Sequence, residues 1–241
     1  MSARRNRLDR LIARQLGISQ DAVRPLLAQQ RIRVDGVVVT ERDLIVDGFC
    51  LVTVDDTIVQ SQQAVYLMLH KPRGVLSATH DPQHPVATAL IDHPAVATLH
   101  IAGRLDLHAS GLLLLTNDGR WSRCISNPQS GVAKQYLVTL KNALTPDYIA
   151  AFANGMHFPY EDIVTRPAQL EILDERLARV TLHEGRYHQL KRMFGRFRNP
   201  VLAIHRTAIG TLVLDDSLAA GHWRQLTAVE AQALMPASEQ T

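Results

Sequence analysis

The sequence predicts an α+β protein, with a small N-terminal domain followed by a larger domain built on a mixed or antiparallel sheet. Several strand-like segments ("KQYLVTL", "QLEIL", "ARVTLH") occur with a few helix-like ones, and the two kinds do not alternate strictly. A polar stretch, "QSQQA" at residues 60–64, follows a first set of short elements and is typical of a linker. With 241 residues the chain can hold one large and one small domain. We therefore expect domains at residues 1–60 and 61–241.

The sequence of the N-terminal domain predicts a helix, a second short helix and then a hairpin of two strands. Four apolar residues fall on one face of the helix in "RLDRLIARQLG": Leu8, Leu11, Ile12 and Leu16. Gly17 is placed to end this helix, and Ser19 or Asp21 caps the next. If Asp21 is the cap, Pro25 falls in the first turn, where its missing N–H costs little. In "RIRVDGVVV", Asp35–Gly36 predicts a two-residue hairpin turn.

The second domain begins with the apolar strand of "VYLMLHKPRG" and contains two helices with clear boundary signals. In "TPDYIAAFANG", Thr145 is placed as the cap, Pro146 at the first helical position and Gly155 after the end. In "TAVEAQALM", Thr227 and Glu230 have the spacing of a capping box. These signals predict a helix in each segment.

Composition indicates a globular protein of the reduced cytoplasm. Hydrophobic residues make up 46% and charged residues 20% of the chain, which is ordinary for a globular protein. No apolar run approaches the ~18 residues of a membrane span, and no apolar segment typical of a signal peptide follows the basic N-terminus. The two cysteines, Cys50 and Cys124, lie far apart in unlike contexts. We expect a cytoplasmic protein that has no membrane partner.

Positive charge is concentrated in two places, although the formal net charge is only +3. The first 33 residues hold eight arginines against two aspartates: Arg4, Arg5, Arg7, Arg10, Arg14, Arg24, Arg31 and Arg33. A second cluster lies between residues 183 and 206: Arg186, Lys191, Arg192, Arg196, Arg198 and Arg206. Such patches are typical of a polyanion-binding protein, with nucleic acid favoured over membrane. The alternative is a solvated charged face.

Familiar metal, nucleotide and hydrolase motifs are missing from the sequence. His183 and His188 in "HEGRYH" are five residues apart, so they would not share one face of a helix as the histidines of H-E-x-x-H do. There is no Cys-x-x-Cys pair, no phosphate-binding glycine loop, and "ASG" at Ser110 lacks the nucleophile elbow of a hydrolase. Catalysis by this chain is therefore expected to need neither metal nor cofactor.

Asp106 lies in "GRLDLHASGLLLLTNDG", just ahead of a strand of leucines. It can be a turn residue or a partner of Arg104, or it can be a carboxylate held rigidly by the strand and facing a cleft. Two other segments allow similar alternatives. "EGRYHQLKRMF" fits a basic amphipathic helix or a binding segment, and in "KQYLVTL" Lys134 and Tyr136 share one strand face. "LHKPRG", with Lys71, is a weaker candidate.

Together and in this order, these segments resemble the pseudouridine synthases, in particular the bacterial enzymes that modify small-subunit ribosomal RNA. "GRLDLHASGLLLLTNDG" resembles the Gly-Arg-Leu-Asp signature of that family, "KQYLV" its Lys-x-Tyr strand, and "EGRYHQLKRMF" its third motif. "LMLHKPRGVLSAT" resembles the start of the catalytic domain, and the first sixty residues are similar to the S4 RNA-binding module. The resemblance covers nearly the whole chain.

The resemblance implies a role for each matching residue. Asp106 matches the catalytic aspartate, with Arg104 in the same signature as a supporting residue. Tyr136 matches the aromatic residue that packs on the target base and is implicated in proton removal at C5. Lys191 matches the basic position that pairs with the aspartate, and a nearby ammonium favours the charged carboxylate. Leu190 matches its apolar neighbour. No cofactor is implied, because a carboxylate alone can serve as the nucleophile.

The implied substrate is ribosomal RNA, with one uridine of 16S RNA as the target (position 516 in the usual numbering), in an assembling small-subunit particle. The protein is expected to act as a monomer. Nine basic residues are expected to contact RNA: Arg4, Arg5, Arg7, Arg10, Arg31, Arg33, Lys71, Arg186 and Arg192. Two alternatives are a large-subunit (23S) synthase of the same family and a non-catalytic S4-type binding or assembly factor.

Three positions depart from the family pattern. Ser110 stands where threonine is usual, and His70 replaces a common asparagine before Lys-Pro. In "GRFRNPV", Arg198 stands where the family generally has glycine. This difference affects the local turn, where Asn199 can tolerate a left-handed backbone.

Overall fold

The computed structural model describes residues 5–235, and contacts divide them into two compact units. The first unit comprises the described residues up to Val65 together with Asn117–Gly119, and the second comprises Tyr66–Thr116 and the described residues from Arg120 onward. That these units are the predicted RNA-binding and catalytic domains stays a prediction. Within residues 5–235, no helix has the length and apolar character needed to span a membrane.

The first unit contains two helices and six short strands around one apolar core. Its elements are β1 Asn6–Arg7, α1 Leu8–Leu16, α2 Gln20–Ala28, β2 Ile32–Val34, β3 Val37–Val38, β4 Ile45–Val46, β5 Val52–Val54 and β6 Thr57–Gln60. The strands form a β1–β4 pair and an antiparallel sheet of order β3-β2-β5-β6. Asp35 and Gly36 have φ angles of 48° and 83° between β2 and β3. These left-handed values confirm the predicted hairpin turn.

Two expectations for the helices of this unit need correction. Gly17 ends α1 with φ 65°, as predicted, but Leu16 is 37% exposed and lies off the core that holds Leu8, Leu11 and Ile12. Ser19 caps α2 by accepting the Ala22 N–H. Pro25 is therefore the sixth helical residue, in the second turn, where it cannot donate to the Asp21 carbonyl. Because Pro25 is exposed, water can reach that carbonyl.

The second unit is built on a nine-stranded mixed sheet. The unit has eleven strands, of which all but β11 and β12 belong to this sheet: β7 Tyr66–Lys71, β8 His100–Ala102, β9 Ser110–Thr116, β10 Lys134–Leu140, β11 His157–Phe158, β12 Ile163–Val164, β13 Gln169–Asp174, β14 Leu177–Leu182, β15 Val201–Ile209, β16 Leu212–Val213 and β17 Trp223–Gln225. The main order is β13-β14-β10-β15-β9-β7-β17, with β8 beside β9 and β16 beside β15. β11 and β12 form a separate hairpin. Only β15–β9 is parallel among these pairs, so the predicted mixed α+β sheet is confirmed.

Helices cover both faces of this sheet. They are α3 Gly119–Ser126, α4 Asp147–Asn154, α5 Gln189–Gly195 and α6 Ala228–Ala233. One apolar cluster joins β10 and β14 to α4 and α5, and another joins β7 and β9 to α3 and α6. All four leucines of "LLLL" in β9 are fully buried. The strand that follows Asp106 is thus fixed by packing on both sides.

Three local predictions had mixed outcomes. The capping box of Thr227 and Glu230 is present at α6. Thr145 does not cap α4, because Pro146 occupies the cap position and the helix begins at Asp147. In "GRFRNPV", Arg198 itself takes the left-handed conformation, with φ 53°. Asn199 is instead buried, where its side-chain amide binds the backbone of Asn142.

Candidate active site

Asp106 lies in a turn between β8 and β9, with its side chain facing α5. Its carbonyl accepts the Ala109 N–H at 3.0 Å, so the backbone does form a turn. One carboxylate oxygen, Oδ2, is 3.6 Å from His188 Nε2 and 3.7 Å from Lys191 Nζ. Arg104 is exposed, and within residues 5–235 its side chain has no ion-pair or hydrogen-bond partner. The side chains of Asp106, His188 and Lys191 are about one-third exposed, so water screens their electrostatic attraction. These contacts therefore mainly orient the Asp106 carboxylate.

Arg206, in β15, holds the first part of this loop. Its buried guanidinium donates to the carbonyls of Leu112 at 2.8 Å, Gly103 at 3.1 Å and Arg104 at 3.3 Å. The flat, forked guanidinium suits three acceptors that lie in different directions. Arg206 also lies opposite Gly111 in the parallel ladder, where a Cβ on Gly111 would be 2.3 Å from the Arg206 carbonyl oxygen. Only glycine therefore allows this approach of β9 to β15.

Ser77 and Lys71 hold the middle of the loop. Ser77 Oγ donates to the Leu105 carbonyl at 2.8 Å and accepts the Leu105 N–H at 2.9 Å. Lys71 Nζ donates to the carbonyls of Val75 at 2.7 Å and Leu107 at 3.4 Å. Backbone on both sides of Asp106 is thus fixed by buried donors, which limits the positions its carboxylate can reach.

Lys71 does not lie on an RNA-facing surface, which corrects the sequence-based expectation. Its side chain is fully buried, and three carbonyls of the surrounding loops accept hydrogen bonds from its ammonium group. Burial, and after it the positive charge of Arg206, lower the pKa of Lys71 to about 8, against an opposing effect of Asp106. Lys71 supports the loop instead of binding phosphate.

Tyr136 and Leu190 are buried in the apolar cluster that also contains Leu105 and Ala109, the residues that flank the Asp106 turn. In the sheet, Tyr136 of β10 lies opposite Arg206, which in turn lies opposite the start of β9. Neighbouring strands are ~4.8 Å apart, so Tyr136 is two strands from that point. Sheet register and packing thus bring Tyr136 and Leu190 to the side of the loop.

Residues 183–188, between β14 and α5, form a loop held by hydrogen bonds, and only the second half of "EGRYHQLKRMF" is helical. The buried carboxylate of Glu184 accepts the Arg166 N–H at 3.0 Å, Gln189 Nε2 at 2.8 Å and Arg186 Nε at 3.0 Å. His188 precedes α5 with φ 49°. The amphipathic-helix interpretation thus holds only from Gln189 onward.

Sequence reasoning missed two residues of this site. His188 was considered only as a possible metal ligand with His183, and Arg206 only as a member of a basic cluster. Each contacts the Asp106 loop across a long stretch of chain, which a single sequence does not record. The buried, apolar pattern around Arg206 in "VLAIHRTAI" was the one available signal, because a buried arginine needs partners.

The residues expected to bind RNA differ in their exposure and in whether a carboxylate pairs with them. Arg5 and Arg10 are exposed, Arg33 donates to the Gly36 carbonyl, and Arg4 lies outside the described residues. Four others form ion pairs with carboxylates: Arg7 with Asp9, Arg31 with Asp55, Arg186 with Glu184, and Arg192 with Glu161. Such pairs reduce the positive field that reaches an incoming phosphate.

Two departures from the family pattern meet next to the loop. Ser110 Oγ is 2.9 Å from His205 Nδ1, and the rings of His205 and His70 pack edge to face with centroids 5.4 Å apart. Burial lowers the pKa of His205, and the neighbouring His70 lowers it further. In the described part of the chain, no three histidine, cysteine or acidic side chains are grouped so that they could hold a metal ion.

Comparison with known proteins gives consistent matches. Residues 65–195 match the family model for RNA pseudouridylate synthase. A protein named ribosomal small subunit pseudouridine synthase A from Pseudomonas aeruginosa is 48% identical over 225 residues, which cover 93% of this chain and 98% of the relative. The protein of that name from Escherichia coli K12 is 40% identical over 93% of this chain and 97% of its own. A crystal structure described as a pseudouridylate synthase superposes with a TM-score of 0.70 at 37% identity, covering 95% of this chain and 99% of the other.

Proposed function

The chain belongs to the RNA pseudouridylate synthase family, and from that premise we propose that it isomerises one uridine of 16S ribosomal RNA, with Asp106 as the reactive carboxylate. It is a pseudouridine synthase, which is an isomerase. The names of the relatives support a small-subunit target over a large-subunit one. The observation that best supports this proposal is the position of the Asp106 carboxylate, in a loop that buried hydrogen-bond donors hold on both sides.

The reaction needs no oxidant or reductant. The bond between N1 of the base and C1′ of the ribose breaks, and a bond between C5 and C1′ forms. The hydrogen on C5 leaves as a proton, and N1 regains one, so that atoms and charge balance. A carboxylate can attack C6, attack C1′ or assist elimination, and in each route it must be ionised and correctly placed. Lys191 and the loop supply that placement.

The other matching residues receive roles that their positions support. The target uridine must leave its stack, at a cost of a few kcal/mol, and Tyr136 offsets part of this cost by packing on the base. Leu190 completes the apolar wall beside Tyr136. Arg104, exposed next to Asp106, is placed to contact a phosphate of the target strand.

Phosphate contacts outside the site come from the first unit and from the segment around α5. Arg5, Arg10 and Arg33 are exposed there, and Arg186 and Arg192 keep partly exposed guanidinium groups. Arg4 belongs to this set on sequence alone. Contacts of this kind position the RNA and weaken as salt rises. The proposed setting is a monomer in the cytoplasm that acts on an assembling small-subunit particle.

We expect Asp106→Asn to abolish isomerisation, because an amide is a far weaker nucleophile than a carboxylate. The release of labelled C5 hydrogen from 16S RNA should fall at least ~10³-fold, a loss typical for removal of a nucleophile. RNA affinity should stay within about threefold of the wild-type value. Asp216→Asn, at an exposed position, is the matched control and should keep full activity. Full activity of Asp106→Asn would refute the proposed mechanism.

The target is tested separately by mapping pseudouridine in both ribosomal RNAs of a strain that lacks this protein. Loss of one pseudouridine from 16S RNA, restored by the wild-type chain and not by Asp106→Asn, is the expected result. Loss from 23S RNA would identify a large-subunit enzyme instead. No loss in either RNA would favour a binding or assembly factor.

A further inference from the structure

Two aromatic rings stack next to the Asp106 turn, and the function proposed above gives neither of them a contact with RNA. The rings of Tyr187 and His188 have centroids 3.9 Å apart and planes 22° from parallel. His188 Nε2 is 3.6 Å from Asp106 Oδ2, whereas Tyr187 is 77% exposed. His188 thus backs one face of the tyrosine ring, and most of the remaining ring surface is open to solvent.

The backbone under this stack is fixed. His188 has φ 49°, a conformation that is unfavourable for a residue with a Cβ and that persists only where the surroundings enforce it. The His188 carbonyl accepts the Arg192 N–H at 3.0 Å, and the Arg186 N–H donates to Gln189 Oε1 at 3.0 Å. Gln189 in turn donates to the buried carboxylate of Glu184. An exposed aromatic ring is therefore held in one place before any ligand arrives.

The charges around the stack favour a nucleic-acid ligand over a protein one. Arg186, Lys191 and Arg192 lie within five residues of Tyr187, and although each faces one carboxylate, their cationic side chains stay 26–40% exposed. Aromatic rings interleaved with cations are the chemistry that binds unstacked bases and their phosphates. A protein partner would call for a continuous apolar patch, which these cationic neighbours interrupt.

We propose that Tyr187 stacks on the base next to the target uridine in the RNA strand, with His188 supporting the ring. This inference rests on the proposed function. When the target uridine turns out of the helix, its neighbour loses a stacking partner, and a flat ring beside Asp106 can replace it. Tyr136 lies buried in the apolar cluster, where it serves the target base itself. Tyr187, in contrast, offers an open ring face at the surface.

The test compares Tyr187→Ala and Tyr187→Phe on the shortest 16S RNA segment that the wild-type enzyme modifies. Stacking worth 1–3 kcal/mol per base corresponds to a loss of affinity of about 5- to 150-fold for the alanine variant. The phenylalanine variant keeps a flat ring and should bind within about twofold of the wild type. The maximal rate at saturating RNA should change less than about threefold for both, because the proposal assigns Tyr187 to the neighbouring base and not to the target uridine.

The decisive measurement repeats binding with an abasic site on the 5′ or the 3′ side of the target uridine. For one of these two abasic RNAs, the affinity of the wild type should fall to the affinity of Tyr187→Ala for intact RNA. The affinity of Tyr187→Ala for that same abasic RNA should show no further loss. Tyr160→Ala is the control, because Tyr160 is 97% exposed and lacks a stacked ring within residues 5–235. Its effect should be equal on intact and abasic RNA.

Wild-type affinity in Tyr187→Ala, or abasic losses equal in the wild type and the variant at both neighbours, would overturn the inference. Failure of the wild type to release C5 hydrogen from any 16S segment would instead reject the proposed function. The two failures are therefore distinguishable.

Discussion

Arg198 holds a backbone conformation that ordinarily belongs to glycine. Its φ is 53°, and its side chain is exposed, so nothing in its packing requires arginine. A residue with a Cβ in the left-handed conformation costs the folded state ~1–2 kcal/mol, and glycine removes this cost. Glycine also gives the unfolded chain more conformational freedom, which offsets part of that gain. We expect Arg198→Gly to raise the free energy of unfolding by about 0.5–1 kcal/mol in denaturant titration. Arg196→Gly, where φ is −61°, should lower it by a similar amount. A loss in both variants would contradict this reading.

At the residue scale, the motifs identify the candidate side chains of the site, whereas the groups that surround them are determined by the fold. Asp106, Tyr136 and Lys191 stand out because each lies in a signature of adjacent residues. Lys71 was misassigned because "HKPRG" looks like an exposed basic turn, and only the tertiary structure supplies the carbonyls that bury its ammonium. The strain at His188 is equally invisible in sequence, since it arises from contacts on both sides.

At the scale of elements, the link between β15 and the Asp106 loop determines how well the carboxylate is placed. We expect Arg206→Met to lower kcat about 10- to 100-fold, because a shift of ~1 Å in a reacting group has effects of that size. KM for RNA should stay within about threefold, since Arg206 is buried and does not face the ligand. The free energy of unfolding should fall by about 2–5 kcal/mol, because three carbonyls lose their donor.

The control for this variant is Arg176→Met, which removes an exposed arginine whose nearest carboxylate is 3.9 Å away. It should leave kcat, KM and stability near the wild-type values. Arg206→Lys should recover part of the kcat, because an ammonium can reach some but not all of the three carbonyls. Equal losses in kcat from Arg206→Met and Arg176→Met would contradict a positioning role.

Strands and caps were predictable at this scale, whereas strand order was not. The hairpin at Asp35–Gly36 and the capping box of α6 follow from residues a few positions apart. The sequence leaves the cap of α2 open, because Ser19 and Asp21 are both favourable cap residues. In the structure Ser19 is the cap, since its hydroxyl oxygen accepts the Ala22 N–H. The parallel β15–β9 pairing joins residues far apart in the chain, so no local pattern encodes it.

For the whole molecule, two buried lysines make stability depend on pH. Burial, and then the charge of Arg206, lower the pKa values of Lys71 and Lys134 to about 8 from an ordinary 10.5. Between these values the unfolded chain holds protons that the folded chain has released. The free energy of unfolding therefore rises with pH across that window. Below pH 8 the folded state bears the full cost of two buried charges.

We expect Lys134→Met to flatten this rise. A shift from 10.5 to about 8 is worth roughly 3 kcal/mol, so the stability of the wild type relative to the variant should increase by up to that amount between about pH 8 and 10.5. Lys141→Met, at an exposed position, is the control and should keep the wild-type pH dependence. Parallel stability curves for the wild type and Lys134→Met would show that Lys134 keeps an ordinary pKa.

The central position of β15 also matters for the order in which the parts of the site are synthesised. During synthesis Asp106, Tyr136 and Lys191 emerge before residues 201–209, yet β15 is the strand that joins β10 to β9. A nascent chain that ends at Lys191 carries these three side chains but lacks the strand that joins β10 to β9. The Asp106 loop gains its arginine only when residue 206 arrives. Translation therefore supplies Asp106, Tyr136 and Lys191 before β15, the strand on which the placement of the Asp106 loop depends.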